Sequence, residues 1–309
     1  MAEPEPIQQN RPPRMFTALL MTAPPSVVAL WAAVAAFSTY FSMYAFRKPF
    51  LALAWDGDIM FGLTPKAMLA ISQIMGYTVA KYIGTRWVSE ITPSQRAAAL
   101  LGLIGVAQLT LILFAWLPEP ARPLAMFANG VPLGMVWGLV VMYLEGRRSS
   151  EILFACLATS YILASGVVKD AGLALMRLAD LSPSWMPAAT GLAFLPAFVA
   201  AVWALEQLPP PGEADRAART ERGPMDGPQR RQFVAMFSGG LALQVILYFF
   251  ITAFRDFRDV YGVEILTALG YAQTPGIFTK SEIGAAIISV AALASLNLVA
   301  AHRWYAMLG

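Results

Sequence analysis

The sequence predicts an all-α fold, a polytopic membrane helix bundle, on three observations. Of its 309 residues 58% are hydrophobic and 13% charged, and the mean hydropathy is +0.58; a soluble domain averages about 25% charged residues. Apolar stretches of roughly 20 residues, long enough to cross a bilayer as a helix, recur along the chain. Most are joined by short connections, which make neighbouring helices antiparallel. The lipid bilayer is therefore the first expected partner. Nucleic acid is excluded, because the 22 Lys and Arg are scattered through short loops with no basic face.

The head, 1–25, opens polar and Pro-rich and lacks the basic start and small-residue cleavage site of a signal peptide. Six apolar segments follow, near 26–46, 67–88, 97–117, 123–144, 151–176 and 187–205, and make a first six-helix bundle over 26–205. Pro118, Pro120 and Pro123 enforce the turn between the third and fourth. The fourth repeats glycine at Gly130, Gly134 and Gly138, a face that another backbone can approach closely, and Pro132 is placed to kink it. The stretch 206–231 is long, charged and Pro-rich and reads as a cytoplasmic linker. Two more segments, 233–254 and 282–301, begin a second, partial bundle over 232–309, with 296–309 expected to start a further helix. A six-span unit, a polar loop and a second unit is a transporter-like layout.

With the N-terminus in the cytoplasm, Arg11, Arg14, Arg86, Arg96, Arg147, Arg148 and the linker arginines lie inside, while chiefly Lys66, Arg122, Arg177 and Lys280 lie outside. This is the positive-inside sense for a multi-pass protein of the plasma (inner) membrane. The single Cys156 sits in an apolar segment and is expected as a small buried hydrophobe.

Charge within apolar context marks the candidate site. The stretch 37–50, FSTYFSMYAFRKPF, closes the first segment with Arg47 and Lys48 between aromatics. Such cations either snorkel to the interface or face a cavity or an anion. Ala45-Phe46-Arg47 returns as Ala253-Phe254-Arg255 at the end of the seventh segment, on the same side of the membrane. Two guanidinium forks facing one another suit a phosphate or carboxylate. Lys81, within the second segment, is either a site residue or an interface anchor, and straight-helix geometry separates it in depth from Arg47. Lys169 and Asp170 are adjacent, so they do not pair; each is free to meet another helix, and interface anchoring is the expected role. Asp170 is the best carboxylate for proton coupling, and the only histidine, His302, lies at a helix end. This scarcity of titratable groups favours substrate exchange over a proton relay.

These residues resemble the major facilitator superfamily, and within it the organophosphate:phosphate antiporters. That family ends its first helix in Y-x-x-R-K-x-F, here Tyr44-Ala45-Phe46-Arg47-Lys48-Pro49-Phe50, and carries Y-x-x-x-K-F-I on its second, here Tyr77, Lys81, Tyr82 and Ile83. The resemblance implies a major facilitator fold and a small, phosphorylated or other organic anion as substrate, bound by Arg47, Arg255 and Lys81 with Tyr44 and Tyr77 beside them. The sequence is also similar to an uncharacterised bacterial family of the superfamily, for which 131–148 and 254–259 are typical. Three features depart from the pattern. The loop 85–96, TRWVSEITPSQR, lacks G-x-x-x-D-R; the fifth segment lacks the family's histidine; and eight segments stand where the superfamily has twelve.

No Cys/His cluster, Ser/His/Asp set or phosphate-binding glycine loop is present in the sequence, so no catalytic residue, metal or cofactor is expected. The expected function is secondary active transport of a small anion by a monomer. The alternatives are a sensor that binds without transport and a truncated or degenerate structural protein.

Overall fold

The computed structural model describes residues 15–55, 57–59, 62–213, 215, 226–271 and 274–296, and among these the chain is helical with no strand. A short helix α1 (Met15–Thr22) precedes α2 (Pro25–Met43), α3 (Pro65–Glu90), α4 (Arg96–Trp116), α5 (Arg122–Leu144), α6 (Ser150–Leu178) and α7 (Met186–Glu206). The second part contributes α8 (Gly227–Val260), α9 (Gly262–Ala268) and α10 (Ile277–Leu296). Among the described residues six helices are long and apolar enough to cross a membrane: α2, α4 to α8. α3 is not one of the six, because Gln73, Tyr77, Lys81, Tyr82 and Arg86 dilute its apolar residues. His302, Arg11, Arg14, three linker arginines and most of 296–309 lie outside the described residues.

The eight apolar segments of the sequence fall on helices with different bounds, the eighth as far as Leu296, the last described residue. α8 starts inside the expected linker because Asp226 caps it: its carboxylate accepts from Gln229 N at 2.8 Å, Gln229 reciprocates, and Pro228 sits in the first turn. α5 runs through Pro132 without a break.

The main apolar core of the first bundle is built from α2, α4, α5, α6 and α7 around residues such as Phe46, Ile104, Leu133, Val168 and Phe198, and a smaller cluster joins Phe50, Leu69, Phe114 and Met126. The closest approach is α3 against α5. A Cβ on Gly76 would stand 2.0 Å from the Phe127 carbonyl oxygen, and one on Gly130 2.1 Å from that of Gln73. The glycine repeat thus lets the two backbones touch. At the far end of the bundle, Arg147 Nη2 donates to Pro209 O at 2.6 Å and Asp215 accepts from Arg148 N at 2.9 Å, so the start of the 206–231 stretch is tied to the α5–α6 turn.

α8 is different. None of its residues is buried, and Leu243, Val245, Phe249 and Phe254 are all more than half exposed. Such a surface suits hydrocarbon and not water. α8 joins the first bundle through its last turns, and α10 packs along α6.

Candidate functional site

The site lies where α2 ends. α2 passes into a 3₁₀ turn at Tyr44–Phe46, and the backbone N–H groups of Arg47 and Lys48 both bond to Tyr44 O, at 3.0 and 2.9 Å. Pro49 then starts a second 3₁₀ turn, so the helix cannot continue. The break projects Arg47 and Lys48 toward α8 instead of along the helix surface. Arg47, Lys48, Tyr44 and Tyr161 line one cavity of about 60 Å³ with Arg255 and Asp259. The two arginines of the repeated Ala-Phe-Arg are therefore brought to one place.

Their surroundings differ. The Arg47 guanidinium stacks on the rings of Tyr77 and Tyr44, 4.6 and 5.8 Å from their centroids, and among the described residues no carboxylate is within ion-pair distance of it. Arg255 is half-exposed, pairs with Asp256 at 3.1 Å and lies 5.9 Å from the Tyr161 ring centroid. Tyr44 and Tyr161 stack with centroids 6.4 Å apart, so aromatic faces floor the cavity beneath both cations. Tyr77 reaches the site through Arg47. Lys81 does not line this cavity; its ammonium lies 4.8 Å from the other cation-bearing ring, Tyr77, and it faces a separate cavity of about 350 Å³ with Trp137 and Glu145. Arg47 and Lys81 therefore flank the same Tyr77 ring while lining different cavities.

One residue is central here that sequence reasoning gave no role. Asp259, on the last turn of α8, is ion-paired with both Lys48 and Lys169 and accepts from Ser165 Oγ at 2.8 Å. The side chains are 10%, 12% and 3% exposed for Asp259, Lys48 and Lys169. Ser165 and Lys169 are spaced i, i+4 on α6 and so share a face, a signal that was readable. The expectation of interface anchoring for Lys169 and Asp170 is corrected. Adjacent helix residues point about 100° apart, so Lys169 meets α8 while Asp170 accepts from Thr279 N and Oγ1 of α10 at 2.7 and 2.5 Å. That carboxylate, the best sequence candidate for proton coupling, closes the first turn of α10. Two further ion pairs lie nearby, Lys66–Glu264 at 3.0 Å and Arg258–Glu282 at 2.9 Å. Cys156 is half-buried. Among the described residues no group of His, Cys, Asp and Glu is arranged to hold a metal.

Taken together, apolar spanning helices around a cluster of interior charges define a polytopic helical protein of membrane character with a polar site between its two parts. The chain belongs to a family of unknown function (DUF5690), whose model matches residues 49–308. No curated protein and no solved structure matches it.

Proposed function

We propose that this protein is a secondary transporter of a small organic or phosphorylated anion, of the major facilitator type, working by alternating access in the plasma (inner) membrane with its N-terminus cytoplasmic. The observation that carries the reading is Arg47: a guanidinium inside a cavity, on two tyrosine faces, without a carboxylate of its own among the described residues. Every other cation lining that cavity is matched, Lys48 by Asp259, Arg255 by Asp256 and Arg258 by Glu282. An uncompensated cation at such a place favours an anion from outside the chain, and the fork geometry suits two oxygens of one phosphate or carboxylate. The second arginine, Arg255, completes the cradle from the other half, so a bound anion would contact both parts of the protein at once. This is what rocking of two bundles around a central site requires.

The test is exchange in liposomes. Protein-bearing vesicles loaded with phosphate or glycerol phosphate should take up labelled phosphate faster than unloaded ones. Saturable binding without exchange would favour an anion sensor. Neither binding nor exchange with phosphate, sulfate or glycerol phosphate would leave a structural role and remove the anion reading.

A further inference from the structure

Behind Arg47 runs a chain of buried amides that contact with an anion does not use. Gln73 is 4% exposed and Asn129 is fully buried. Gln73 Nε2 donates to the backbone carbonyl of Arg47 at 3.1 Å and to Asn129 Oδ1 at 2.8 Å. Asn129 Nδ2 donates to Ala107 O and to Thr110 Oγ1, each at 3.1 Å. We infer that Gln73 and Asn129 are positioning residues that hold Arg47 in the anion site, and that the glycine-on-glycine crossing of α3 and α5 exists to set their place.

The order of the chain is dictated at both ends. The Arg47 and Ala107 carbonyls can only accept, so an amide N–H₂ must face each of them. That leaves Asn129 Oδ1 for the second hydrogen of Gln73, and neither amide can flip without setting like groups against each other. The Arg47 carbonyl needs this help. In a continuing helix its partner would be the N–H of Leu51, but that group bonds Lys48 O at 3.0 Å instead. Water is scarce at such a site and an unpaired carbonyl is unfavourable, so Gln73 fixes where the turn stands.

Arg47 is thereby gripped at two points by one helix. Gln73 takes its backbone, and Tyr77, one turn on along the same face of α3, takes its guanidinium. The level of both is set by α5: Cβ atoms on Gly130 would meet Gln73 O at 2.1 Å and Tyr77 N at 2.8 Å. Asn129 is next to that glycine. A repeat that reads in sequence as helix packing therefore also positions the site.

The inference rests on the anion reading for what Arg47 does, and on geometry alone for where it stands, so the test has two arms on the full chain. In the first, Cys156→Ser with Arg47→Cys leaves one thiol, and its rate of reaction with a small charged thiosulfonate is measured with and without Gln73→Met. Gln73→Met keeps the volume and removes both donors. The second arm measures phosphate affinity of the protein with Arg47 intact, with and without Gln73→Met. Expected are an altered thiol rate and phosphate binding weakened about tenfold, as the hydrogen bond that holds the Arg47 carbonyl is lost. Thr110→Val, which removes only the far end of the chain, should move both readouts the same way by less, and serves if Gln73→Met does not fold. An unchanged thiol rate overturns the inference, whatever phosphate does. An altered rate in a protein whose wild type binds no phosphate upholds the positioning and removes the anion reading.

Discussion

Neutralising Asp259 should be among the most damaging single changes to this protein, although Asn has nearly the same shape. Asp259→Asn retains a group able to accept from Ser165 but removes the charge that faces both Lys48 and Lys169. Lys169 is 3% exposed and has no route to water; Lys48, 12% exposed, borders the cavity and can reorient. Removing one partner of a buried pair costs about 3–5 kcal/mol, most of it the penalty on the charge left behind. The lower end applies here, because Lys48 has somewhere to go. At about 2 °C per kcal/mol for a chain of this size, the melting midpoint of the purified protein should fall by roughly 6 °C or more. The same logic predicts a rescue. Asp259→Asn combined with Lys169→Met removes the stranded cation and should melt above Asp259→Asn alone. Thermal unfolding in one detergent, followed by tryptophan fluorescence, measures all three proteins. A midpoint for Asp259→Asn within about 1 °C of wild type, or a double variant less stable than the single, would refute the reasoning.

Three further outcomes follow from the same geometry. Glu264→Gln should destabilise more than Lys66→Met, although Glu264 is the exposed partner, because it strands a lysine that is 2% exposed; comparing the two melting midpoints decides it. Gly130→Ala should cost about 1–3 kcal/mol by forcing α3 and α5 apart, against a near-neutral Gly102→Ala, which meets open space, and the same thermal scan reads both. A reporter fused within 212–227 should be cytoplasmic and one at Gly57 external, if the arginine bias sets orientation; opposite results at both sites would reverse it.

The helices were legible in the sequence because each writes its own signal, a run of apolar residues closed by Pro, Gly or charge. Where the signal stopped, so did the reading. The apolar window of the seventh segment ends at Phe254, yet α8 continues through Asp259 to Val260, with Arg255, Asp256, Arg258 and Asp259 each ion-paired. Arg47 and Arg255 were found because a local triplet repeats. Asp259 was not, because its partners stand 211 and 90 residues away and only the folded chain brings them close. The support behind Arg47 was hidden for the same reason. Gln73 and Asn129 are ordinary polar residues on helices, and their role depends on two glycines that allow the helices to touch.

The central claim, that Arg47 and Arg255 jointly hold an anion, is tested most directly by replacing each with lysine. Lysine keeps the charge and can anchor at an interface equally well, but it loses the planar fork. The measurement is the affinity for phosphate, sulfate and glycerol phosphate, read from anion-dependent thermal stabilisation of wild type, Arg47→Lys and Arg255→Lys. The account predicts weakening on the order of ten- to a hundred-fold, larger for Arg47, which among the described residues has no carboxylate of its own, than for Arg255, which already pairs with Asp256. Equal stabilisation of all three proteins by an anion that binds wild type would contradict it.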